Sequence, residues 1–75
     1  MNKRIEQKEW DVKFGINLEQ KLKEKDLNKS GLSKLTGIDK STITKYTLGK
    51  RTASSYNVGL MAEALNCSTD DLLIF

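Results

Sequence analysis

Three short stretches of this chain concentrate side chains able to hold an anion. In KSTITK, the residues Lys40, Ser41, Thr44 and Lys45 recur at the spacing of one helical face and offer two ammonium groups and two hydroxyls. In KRTASS, the residues Lys50, Arg51, Thr52 and Ser54 supply a second set of donors in a stretch with loop composition. Asn28 and Lys29 form the third set, at the start of an apolar-periodic segment where free helix N–H groups also favour a phosphate. The chemistry these groups share is attraction and hydrogen bonding to a polyanion. Catalysis is poorly served: the chain has no histidine, a single cysteine at Cys67, and no cluster with metal-ligand spacing. LGKRT has the look of a phosphate-binding loop, but Thr44 stands where the glycine five residues before Gly49 is required. An enzyme is not expected, and neither a metal nor a cofactor.

The elements that must position these donors are written in LSKLTGIDKSTITKY, Leu32 to Tyr46. Leu32 and Leu35 sit at helical spacing before Gly37, and Ile43 and Tyr46 at helical spacing after it. Gly37 ends the first helix because glycine takes a left-handed backbone without steric cost. Ile38 plugs the angle between two steeply crossed helices, Ser33 is small where they approach, and Asp39 is placed to cap the second. The combination is that of a helix-turn-helix.

Charge follows the same boundaries. Residues 27–51 carry Lys29, Lys34, Lys40, Lys45, Lys50 and Arg51 against Asp39 alone, hence +5 within a chain of net charge +3. A basic block coincident with this motif points to nucleic acid more than to a merely solvated face. At 75 residues there is room for one small domain with a thin core, and 37% hydrophobic with 31% charged residues suits a helix-rich globule. No apolar run approaches the ~20 residues of a membrane helix, no signal peptide is recognisable, and a single cysteine fits a reducing compartment. The expectation is a cytoplasmic protein with no membrane partner.

Along the rest of the chain, residues 1–6 read as a mobile basic end and 7–15 as an ordered extension of open form. Trp10, Val12, Phe14, Ile16 and Leu18 alternate as in a strand, while Trp10 and Phe14 also fit a helix. Trp10 and Phe14 are expected to cover the core. A first helix is expected over Ile16–Lys25 on Leu18 and Leu22, with Leu27 as an anchored connector and Asn28 capping the second helix from Lys29. Gly31 within it implies close packing. The third helix runs from Lys40 to about Leu48, and Gly49 ends it. A fourth, from about Ser55 to Leu65, turns Val58, Met61, Ala62 and Leu65 to the core; Asn66 is a left-handed cap and Cys67 a buried, inert thiol. Ser68 and Asp71 form a capping box before a short last helix, TDDLLIF, which sends Leu72 or Leu73 inward.

On LSKLTGIDKSTITKYTLGKR, continued without gaps through LMAEALNCSTDDLL, residues 16–74 resemble the Cro/repressor-type, lambda-repressor-like helix-turn-helix domain of phage and bacterial regulators. The resemblance implies an all-α fold of five helices at 16–75, preceded by an N-terminal extension at 1–15, and usually a dimer. Two positions depart from the family pattern: Thr47, where an acid is frequent, and Ala53, where a proline commonly stands. Both are expected to lie outside the core pattern.

In this motif the second helix lies in the DNA major groove with its first residues at base edges. With Ile43 and Tyr46 inward, Lys40, Ser41, Thr44 and Lys45 are the expected base contacts. Asn28, Lys29, Lys50, Arg51, Thr52 and Ser54 are the expected phosphate contacts, setting register and affinity. Helix 40–48 has no Arg, Gln or Asn, so DNA shape is expected to share in the readout. A weak homodimer is expected through Leu73, Ile74 and Phe75. The expected function is sequence-specific transcription regulation on double-stranded DNA. The alternative is a phage antirepressor or modulator on the same scaffold, which binds a repressor protein and blocks its DNA surface, using the basic helix with Tyr56 or the LLIF end.

Overall fold

The row Trp10, Phe14, Leu18, Leu22 puts an apolar group on one helical face every fourth residue, and it carries a single long helix. The computed structural model describes residues 6–75. Among them the elements are α1 (Gln7–Glu24), α2 (Lys29–Thr36), α3 (Lys40–Thr47), α4 (Ser55–Ala64) and α5 (Thr69–Leu73). α1 therefore starts at Gln7 instead of Ile16, residues 7–15 are helical, and residues 15 and 16 are neighbours in one continuous element. The two-residue alternation misleads because only part of it is buried. Phe14 and Leu18 are in the core and Trp10 packs against it, while Val12 at 39% and Ile16 at 62% exposure face outward. Of the mobile basic end expected over residues 1–6, all but Glu6 lies outside the described residues.

α1 packs against α3 and α5, α2 against α3 and α4, and α4 against α5. The core runs through all five helices, with Leu18, Leu32, Ile43, Met61 and Leu72 fully enclosed. α1 crosses the end of α3 at Gly15. A Cβ there would stand 2.6 Å from the Thr47 carbonyl oxygen and 2.9 Å from its carbon, so only glycine lets the two backbones meet. Trp10 stacks on Phe14 with ring centres 5.3 Å apart, and Phe14 meets Tyr46 edge-on at 6.5 Å.

The turn between α2 and α3 is held by hydroxyls more than by its expected cap. Gly37 has φ +78° and its N–H donates to Ser33 O. Ser33 Oγ donates to Ile38 O at 2.6 Å, and Thr36 Oγ1 accepts from Ile38 N–H at 3.1 Å. Asp39 occupies the cap position of α3, but its carboxylate makes no capping bond. With Ser33 and Thr36 fixing the turn, that bond is not needed to set where α3 begins.

Other caps are as the residue types imply. Asn28 Oδ1 accepts from Gly31 N–H at 2.7 Å, Asn66 is left-handed at φ 54°, and Ser68 and Asp71 form a reciprocal capping box. The Ser68 N–H and hydroxyl hold the Asp71 carboxyl below the usual carboxylate range. Asn17 Nδ2 donates to the carbonyls of Asp71 and Leu72, both at 2.9 Å, which ties α5 to α1 and delivers Leu72 to the core. Thr47 and Ala53 are buried, against the expectation that they lie outside the core pattern. Thr47 meets the crossing of α1 at Gly15, and its hydroxyl is satisfied by donating to Thr44 O at 2.8 Å.

Candidate nucleic-acid interface

Helical geometry alone sorts the side chains of α3. Ile43 and Tyr46 are buried, and Tyr46 is pinned by Asn57 Nδ2, which donates to its hydroxyl at 2.8 Å. That fixes the rotation of α3 and leaves Lys40, Ser41 and Lys45 exposed with Thr44 half-buried, on the opposite side. Leu48, the residue that closes α3, continues this row one turn beyond Thr44 and is 57% exposed. It adds apolar surface beside the four polar groups. The spacing from Thr44 to Leu48 was visible in the sequence; its meaning depended on knowing that Leu48 stays out of the core.

The first turns of α2 and α3 come together with the end of α1 around an open hollow of about 470 Å³. Asn28, Lys29, Lys40 and Thr44 line it, and so do Glu19 and Lys23 of α1. Lys23 brings a further cation to this face, and Glu19 a carboxylate among the lysines. No local sequence signal marked either residue, because only the packing of α1 on α3 carries them here. The Asn28 Oδ1 is occupied by its cap bond, which leaves its Nδ2 group to donate elsewhere.

In the loop after α3, Lys50 and Arg51 are exposed and engaged in no salt bridge among the described residues. Ser54 caps α4 by accepting from Asn57 N–H at 3.1 Å, so its own proton remains available. Thr52 is differently placed from a free phosphate donor. Its hydroxyl donates to Asp11 Oδ1 at 2.7 Å and accepts from Gln7 Nε2 at 3.1 Å, so its single proton is committed within the chain.

Elsewhere, Leu73, Ile74 and Phe75 are exposed, with Ile74 the most open at 72%, while the Phe75 ring rests edge-on against Trp10 at 5.8 Å. Cys67 is half-buried against the core, less enclosed than expected, because it sits in the bend between α4 and the cap of α5. Burial, and then the charge of Asp71, push its thiol pKa up. Among the described residues no His, Cys, Asp and Glu group could hold a metal ion, and no helix is long and apolar enough to cross a membrane.

Residues 18–72 match the helix-turn-helix family. The chain is similar to the restriction-modification controller protein C.AhdI from Aeromonas hydrophila, with 32% identity, a TM-score of 0.80, and coverage of 83% of this chain and 94% of that one. Its fold also resembles that of the hypothetical transcription factor NHTF from Neisseria, at 16% identity and a TM-score of 0.82, over 99% of this chain and 85% of the other. None of the curated proteins matches.

Proposed function

The chain belongs to the helix-turn-helix family and is a DNA-binding transcriptional regulator, and we propose that it reads a specific site by laying α3 in the major groove. The observation that carries this reading is that exposed Lys40, Ser41 and Lys45, with half-buried Thr44 among them, share the outward face of a helix whose rotation the buried Ile43 and Tyr46 lock. Lysine ammonium groups donate to guanine O6 and N7 or to phosphates, and the hydroxyls of Ser41 and Thr44 pair with several bases. Asn28 and Lys29 at the start of α2, with Lys23 beside them, and Lys50, Arg51 and Ser54 in the loop after α3 serve the flanking phosphates in this reading.

The reading is tested by substitutions that separate readout from charge. On a site selected from random duplexes, Thr44→Ala and Lys45→Ala are each expected to weaken binding by ~1–3 kcal/mol and to relax preference at individual base pairs. Lys50→Ala is expected to weaken selected and random DNA alike and to lower the salt slope by about one unit. Equal loss on both DNAs for Thr44→Ala counts against direct readout by α3.

The C-terminal residues Leu73, Ile74 and Phe75 supply the apolar surface of a weak symmetric dimer in this reading, with Ile74 at its centre because it is the most exposed of the three. Two copies would then read half-sites about one helical turn apart. Light scattering at high micromolar concentration is expected to show dimer for the wild type and monomer for Ile74→Asp; a strictly monomeric wild type, with and without DNA, rejects the dimer. The competing reading is an antirepressor that covers the DNA surface of another regulator. It draws on the absence of Arg, Gln and Asn from α3, on the departures at Thr47 and Ala53, and on the exposed apolar residues Leu73, Ile74 and Phe75.

A further inference from the structure

The family match begins at residue 18, whereas α1 begins at Gln7, so about three helical turns precede the matched region. Those turns run along the end of α3 and the loop that follows it. Gly15 lies against the carbonyls of Tyr46 and Thr47. One turn earlier, Val12 lies against Gly49, where a Cβ would stand 2.8 Å from Val12 Cγ2. At the far end, Asp11 Oδ1 accepts from Thr52 Oγ1 at 2.7 Å and from Gln7 Nε2 at 3.1 Å, and Gln7 Nε2 also reaches Thr52 Oγ1 at 3.1 Å.

Asp11 is a carboxylate with only 8% of its surface exposed. A buried carboxylate is costly and adds nothing that an apolar residue would not add to packing, unless its hydrogen bonds set a geometry. The geometry it sets is that of Thr52, which adjoins Lys50 and Arg51, the exposed cations assigned above to phosphate. We propose that Asp11 is a positioning residue for DNA binding: acting through Thr52, with Gln7 closing the triangle, it holds the Lys50–Ser54 loop in its DNA-binding course without touching DNA. A loop already fixed presents Lys50 and Arg51 without being ordered at the moment of binding, and that saved ordering appears as affinity. The inference rests on the DNA-binding reading of the loop, and Lys50→Ala tests that reading separately.

Fluorescence anisotropy on the selected site and on a random duplex, over a salt series and well below the melting temperature, compares Asp11→Ala, Thr52→Val, the double variant, Thr52→Ser and Lys50→Ala. Asp11→Ala and Thr52→Val are each expected to weaken both DNAs by about 3–10-fold. The double variant is expected to bind no worse than the weaker single, because both remove one interaction. Thr52→Ser keeps the hydroxyl and is expected within about twofold of the wild type, and circular dichroism should show unchanged helix content in all five. Independent, multiplying losses overturn the proposal. So does a near-wild-type Asp11→Ala beside a weakened Thr52→Val, which makes Thr52 a direct contact. If the network variants lower the melting temperature but leave DNA affinity intact while Lys50→Ala weakens it, the brace is structural only and the inference alone falls. If Lys50→Ala also binds as the wild type, the loop does not meet DNA and the loop reading falls with it.

Discussion

Phe14→Ala is expected to lower the unfolding free energy by about 3–5 kcal/mol, as for other fully enclosed aromatic residues. The ring is 1% exposed, stacked on Trp10 and edge-on to Tyr46, so its removal opens a void between α1, α3 and the C-terminal end. Three contacts fail together: the Trp10 ring loses its platform, the Phe75 edge contact on Trp10 loses its backing, and Tyr46 loses the wall that helps fix the rotation of α3. A chain of 75 residues has a stability on the order of 4–11 kcal/mol at typical values per residue. The variant is thus expected to melt some 15 °C or more below the wild type, or to be largely unfolded at room temperature. Urea unfolding followed by circular dichroism and by the fluorescence of Trp10, the only tryptophan, measures the loss. A loss under about 1 kcal/mol means the void collapses and the early turns of α1 are a dispensable extension.

Near physiological salt, the wild-type protein is expected to bind its selected site at least ~10³-fold more tightly than random duplex DNA. Lysines that meet only phosphate, such as Lys29 and Lys50, produce affinity by counterion release whatever the sequence, so they raise both constants and leave the ratio unchanged. A large ratio has to come from groups that touch base edges at fixed positions, and from the shape of the DNA that lets them reach. On α3 those groups are the hydroxyls of Ser41 and Thr44 and the two lysines, held in register by the buried Ile43 and Tyr46. Competition titration of the labelled site against random DNA reads the ratio directly. A ratio near one removes sequence readout by α3 and favours the antirepressor reading, whose decisive assay is tight binding to a repressor's DNA-binding domain. Charge reversal at Lys40 or Lys45 harms both readings and does not separate them.

The sequence by itself determined the helix-turn-helix and its orientation, because the signals that write it are local. Gly37, Asn28, Asn66 and the Ser68–Asp71 pair act within three or four residues of their partners, and the burial of Ile43 and Tyr46 follows from helical spacing, whereas on α2 the same spacing pairs buried Leu32 with Leu35, which is 63% exposed. From that rotation the outward-facing set Lys40, Ser41, Thr44 and Lys45 followed without a structure, though Thr44 is half-buried. The tertiary structure alone decided the extent of α1, since Trp10, Phe14 and Leu18 satisfy a period of two and a helical face at once, and only the location of the core shows Val12 and Ile16 to be outside it. It alone placed Glu19 and Lys23 beside α3, committed the Thr52 hydroxyl to Asp11 and tied Asn17 to the end of α5. Thr52 lies 41 residues from Asp11, and Asn17 bonds to residues 54 and 55 positions away. Contacts across such separations leave no trace in local periodicity. They arise where packing of the apolar faces brings two distant segments together, and Gly15 shows how narrow that placement is, since one methyl group there would meet the backbone of α3.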